Sequence, residues 1–160
     1  MKTITTNSKG ETIKWYISYD PHWDKVSTID IEDNDQRHVK TNYLYDWRGQ
    51  VQEAIRTDPS GSDTVDIKIT FSDAGVVNSM TDAQGRTVEL EFEGAKMVRA
   101  VIPGPHKKVY KLTQYGKAVR FSDKDSRSEE AHFVARLLSQ LEEVLDNLKV
   151  VQSIQKSSIR

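Results

Sequence analysis

The chain has 160 residues, 36% hydrophobic and 29% charged, with a formal net charge of −1 and no cysteine. One ordinary domain fits that length, and the lack of thiols excludes a disulfide framework, cysteine catalysis and Cys-based zinc or iron–sulfur centres. No run approaches the ~18 consecutive apolar residues of a membrane-spanning helix, and the first residues lack a signal peptide's apolar stretch; the expected location is cytoplasmic, with leaderless export left open.

Turn-forming residues recur at short intervals. Asn7-Ser8-Lys9-Gly10, Asp33-Asn34-Asp35, Trp47-Arg48-Gly49, Asp58-Pro59-Ser60-Gly61, Asp73-Ala74-Gly75, Asp82-Ala83-Gln84-Gly85 and Pro103-Gly104-Pro105 all carry the Gly, Pro and Asp that hairpin loops require. The segments between them alternate with period two. Ile13, Trp15, Ile17 and Tyr19 oppose Thr12, Lys14, Tyr16 and Ser18. Val65, Ile67, Ile69 and Phe71 oppose Asp66, Lys68 and Thr70, and Val88, Leu90 and Phe92 oppose Glu89 and Glu91. Such alternation suits strands buried on one face. The pattern predicts a mainly β fold: an antiparallel up-and-down meander of about 10–12 strands, as a coiled sheet or a barrel. Beyond Gly94 the alternation is less clean.

Near Asp125 the period changes. Ser126-Arg127-Ser128-Glu129 reads as a capping box. Phe133, Leu137, Leu141, Val144, Leu148 and Val151 then recur at spacings of three and four, widened by Val134, Leu138 and Leu145. The expected organisation is a hairpin region over 1–125, an amphipathic helix over 126–152 covering its apolar face, and a flexible tail over 153–160.

An internal repeat underlies the hairpins. Tyr19-Asp20, Tyr45-Asp46 and Phe71-Ser72 recur every 26 residues. Residues 43–51, Tyr-Leu-Tyr-Asp-Trp-Arg-Gly-Gln-Val, align with 69–77, Ile-Thr-Phe-Ser-Asp-Ala-Gly-Val-Val. At Tyr19 to Val26, and more closely at Phe71 to Phe92 with its Thr-Asp and Gly-Arg-Thr, the chain resembles the YD-repeat (RHS-type) family, over roughly residues 15–121. The resemblance implies a non-catalytic shell, stalk or scaffold. It also has limits, since the repeats are too few to close a shell and no family self-cleavage signature is present.

Candidate sites are sparse. The four histidines, His22, His38, His106 and His132, fall in unrelated contexts without metal-ligand spacing. Asp30 to Asp35 offers carboxylates but not the pattern of a calcium loop. No cofactor or metal is called for. Charge is polarised instead: Ala95 to Phe121 holds seven of the 23 basic residues and no acidic one, leaving 16 basic against 24 acidic elsewhere, a net of −8. Within it Lys107, Lys108, Lys111 and Arg120, with Tyr110 and Tyr115 interleaved, form a basic aromatic strip. That strip suits an acidic protein partner, a neighbouring copy, a nucleic-acid backbone or plain solvent. Trp23 and Trp47 stand in or beside turns, where a ring either folds over the sheet end or anchors a partner. The sequence therefore reads as a non-enzymatic β-repeat structural or protein-binding module within an oligomer or larger assembly. Two alternatives stand beside it: a barrel that binds a small apolar ligand, and a nucleic-acid-binding accessory protein using the 95–121 strip.

Overall fold

The structure is a computed structural model that describes residues 2–8, 10–22, 24–57, 65–115, 118–121 and 129–158. Eleven strands follow one another in a single antiparallel sheet whose spatial order is the chain order. They are β1 (Lys2–Ser8), β2 (Glu11–Asp20), β3 (Lys25–Glu32), β4 (His38–Tyr45), β5 (Val51–Thr57) and β6 (Val65–Phe71). After them come β7 (Val77–Asp82), β8 (Thr87–Glu93), β9 (Lys96–Ile102), β10 (Lys108–Tyr115) and β11 (Ala118–Phe121). The sheet is open: β1 and β11 lie at opposite ends of the order. A barrel's enclosed interior is therefore missing from the described fold. Among the described residues one helix, α1 (Glu129–Ser158), follows the sheet.

The expected alternation decides which face is which. On the inner face one cross-strand row runs Ile17, Ile29, Thr41, Arg56, Ile67, Asp82. The next runs Tyr43, Ala54, Ile69, Met80, Val88. A third joins Leu90, Ala100 and Tyr110. All of these side chains are buried. On the outer face sit polar pairs such as Thr70 with Ser79 at 2.6 Å, Thr81 with Thr87 at 3.1 Å and Lys68 with Glu53 at 3.2 Å. Shifting any strand by one residue would exchange these two sets, so burial of one face fixes the register.

The helix covers the inner face, packing on β3, β6 and β7. Its buried residues Phe133, Val134, Leu137, Leu138, Leu141, Val144, Leu148 and Val151 are the stripe expected from sequence. Each such side chain contributes roughly 1.5–3 kcal/mol by leaving water. Glu129 and Glu130 occupy the first turn, where carboxylates complement the helix dipole. Ser126 to Ser128 of the expected capping box lie outside the described residues, as does the Asp58 to Gly61 turn. Rather than ending at Gln152 with a tail from 153, the helix continues to Ser158. Lys, Gln and Ser tolerate helical geometry once a packed segment has nucleated it.

Polar contacts fix the helix on the sheet. Tyr43 Oη donates to the Val144 carbonyl at 3.1 Å, and burial pushes this phenol far above its usual range. Arg56, 7% exposed, bridges Asp66 Oδ2 at 2.8 Å and Glu143 Oε2 at 3.1 Å, while Gln140 Nε2 also donates to Asp66 at 3.3 Å. An arginine on the core face is tolerated because two carboxylates satisfy it there.

Candidate functional site

The hairpin loops are built on one plan. At Asp33, Asp46, Ser72 and Asp82 the backbone N–H donates to the carbonyl four residues on, at 2.8–3.0 Å. The residue three positions on, Gln36, Gly49, Gly75 or Gly85, donates back to the first carbonyl at 2.9–3.1 Å. That position has φ between 61° and 83°, the left-handed region where glycine carries no Cβ penalty, and only Gln36 departs from glycine. The opening side chain caps its own turn: Asp46 Oδ1 accepts from the Arg48 and Gln50 amides at 2.9 and 3.1 Å. Asp33 and Asp82 do the same for their turns, and Ser72 Oγ accepts from Val76.

Asp20, Tyr45 and Phe71, from the 26-residue repeat, close β2, β4 and β6 at the same end of the sheet. Neighbouring loops there are tied together. Lys25 Nζ donates to the Gly49 carbonyl and lies 5.8 Å from the Tyr45 ring centre. Arg48 reaches Asp46 Oδ2 at 3.0 Å and then the next loop, at the Asp73 carbonyl, 3.3 Å away. Partial desolvation works to raise the Asp46 carboxyl, but hydrogen bonds from Gln50 and Arg48 outweigh it and hold the group below its ordinary value. Tyr45, partly buried and near Asp20, is pushed up to about 12 and donates to the Val26 carbonyl at 2.6 Å.

Trp47 sits on this braced loop, 84% exposed, with the Arg48 guanidinium 5.8 Å from its ring centre. Its position in the shared turn is filled elsewhere by Asn34, Asp73 and Ala83. The turn therefore forms without an aromatic there. Leu44, 47% exposed, precedes the same loop on the outer face of β4. Trp23 lies outside the described residues.

The basic strip is divided by the sheet. Lys111 stands opposite Arg99 on the outer face of β10 and β9. Tyr110 points the other way and is buried, 5% exposed, with its hydroxyl 3.3 Å from Glu130 Oε2. Lys108 is on that inner side too, 2.7 Å from Glu130, and this contact holds the Glu130 carboxyl below its usual value. Lys107 is an exposed loop residue before β10. Tyr115 closes β10, and Arg120 in β11 pairs with Thr113. Arg99 is bound by Glu91 at 2.7 Å. A segment without acidic residues thus acquires acidic neighbours from β8 and α1, a pairing that charge counting along the chain does not reveal.

Two other features have chemical interest. His38 Nδ1 lies 3.0 Å from Asp30 Oδ1, and Nε2 lies 3.5 Å from Glu32 Oε2, which also accepts from the Tyr16 hydroxyl at 3.0 Å. Among the described residues no group of three or more His, Cys, Asp or Glu is arranged to hold a metal ion. A surface cleft of about 610 Å³ opens between the β7–β8 turn, the β9–β10 loop and the first turn of α1. Arg86 and Lys108 in its lining are engaged with Asp82 and Glu130. No helix of the structure, among the described residues, is long and apolar enough to cross a membrane. No protein-family model matches the chain, and no curated protein matches it.

Proposed function

We propose that the chain is a non-enzymatic β-repeat module that binds a protein partner, with the Trp47 loop as its principal anchor. One observation carries this reading. The same five-residue turn is built at Asp33, Ser72 and Asp82 without an aromatic, whereas at Asp46 it displays a tryptophan 84% exposed. Exposing that ring to water is unfavourable and the turn does not require it. Tryptophan and arginine are also the side chains most enriched among residues that dominate binding energy. The bracing of the loop by Lys25 and Arg48 supports the same reading, because a rigid anchor loses less entropy on binding. In the RHS-type family that the sequence resembles, such repeats act as scaffolds, and a small scaffold or adaptor is the role proposed here.

The test compares the intact chain with Trp47→Ala in thermal unfolding and in quantitative affinity capture. The expected variant keeps its stability within about 0.5 kcal/mol, as an exposed substitution should, and loses its specific partner by tenfold or more in affinity. Destabilisation of about 2 kcal/mol or more would show that the ring is structural. Unchanged capture would remove this loop as the anchor.

A further inference from the structure

We infer that the chain forms a two-fold dimer by adding β1 of one copy antiparallel to β1 of a second, a step that deepens the binding-module reading and rests on it. An edge strand presents unpaired N–H and C=O groups, and proteins that stay monomeric blunt such edges by shortness, bulges, proline or charge. The two edges of this sheet differ in that respect. β11 has four residues, and it pairs only with Leu112 to Tyr115 of β10, after Lys108 to Lys111 have paired with β9. β1 has seven residues, without proline, and its register on β2 runs unbroken from Lys2 opposite Ile17 to Ser8 opposite Glu11. Five of the inner pairings, by contrast, carry a register shift.

The composition of β1 selects a second copy as the occupant. Its one charged residue, Lys2, is at one end, so antiparallel pairing places the two lysines at opposite ends of the new ladder. A two-fold axis through Thr5 sets Ile4 opposite the second copy's Thr6 and Thr5 opposite its own equivalent. Residues directly opposite share a face, so this register aligns the two inner faces. Those faces are incompletely covered toward the β1–β2 and β3–β4 turns. The row Ile4, Trp15, Ile31, Val39 is only half-buried, while the rows under the helix are fully buried. Dimerisation sets the two Ile4 side chains diagonally across the new ladder on the shared inner face, each beside Thr6 of the other copy, so each half-buried row gains cover at its β1 end.

Thr5 is exposed on the outer face and tolerates substitution without disturbing the core. The experiment measures the mass of the full chain by light scattering across a concentration series, for the wild type, Thr5→Lys and Thr5→Glu. The wild type should reach twice the 18.3 kDa chain mass. Each single substitution places like charges directly opposite and should weaken the dimer about tenfold or more. Mixing the two variants in equal amounts should restore it as a heterodimer. A wild type that stays monomeric overturns the inference, as does a dimer indifferent to both substitutions or one that mixing fails to restore. Trp47→Ala should dimerise like the wild type. Loss of partner capture with an intact dimer would support both readings, and retained capture by a monomeric wild type would sink only the edge pairing if Trp47→Ala abolishes it.

Discussion

The inner face under the helix and the inner face toward the β1–β2 and β3–β4 turns follow the same alternation, yet they end in different states. Ile67, Ile69 and Met80 are 0% exposed beneath α1. Ile4, Trp15 and Ile31 continue the apolar face toward the β1–β2 and β3–β4 turns and stay half-buried, although Ile17 and Ile29 on the same strands are covered. Alternation specifies which way a side chain points; coverage depends on where the one helix lies. Among the described residues one helix, packed most closely on β3, β6 and β7, covers the eleven-stranded sheet, and the apolar face extends beyond that cover. The largest contrast should therefore appear on truncation. Leu137→Ala, beneath the centre of the helix, should cost about 3 kcal/mol through lost burial and a residual cavity. Ile4→Ala should cost about 1 kcal/mol, since less area leaves water and solvent can fill the space. Denaturant unfolding of both variants checks the pair, and equal losses would place β1 within the covered core.

This contrast also explains what the sequence makes legible. Strand alternation, loop positions and the Phe133 to Val151 stripe depend on neighbours along the chain, and the fold bears them out. Open sheet versus barrel is different, because closure depends on strand ends more than a hundred residues apart. The Arg56 cluster was equally illegible: Asp66, Gln140 and Glu143 reach it from β6 and α1. A faint signal existed, since Arg56 sits two residues from Ala54 on the apolar parity of β5. The basic strip shows how pleating divides neighbouring charges. Lys108 and Lys111 are three apart, so pleating sends them to opposite faces, and Tyr110 follows Lys108 inward.

A smaller effect separates the loop end and helix start from the core by pH. The carboxyls of Asp46 and Glu130 are lowered in the folded chain, so their stabilising contribution is fully present above their unfolded values of 3.8 and 4.5. It is lost as pH falls through the lower folded values. Tyr45 behaves oppositely. Its folded value of about 12 exceeds the unfolded 10.0, so stability is complete below pH 10 and falls as pH rises toward 12. Melting temperature followed on both limbs, with phenolate absorbance on the alkaline one, should show tyrosine ionisation accompanying unfolding. Ionisation of all six tyrosines near pH 10 without unfolding would contradict the buried position of Tyr43 and the partly buried one of Tyr45.

Hydrogen exchange on the full chain, measured by segment in dilute and concentrated solution, tests the contrast between covered centre and open edge most directly. The account predicts strong protection of β6, β7 and the middle of α1 at every concentration. In β1 it predicts weak protection when dilute and a rise when concentrated. Protection of β1 equal to that of β6 at all dilutions would contradict an open edge.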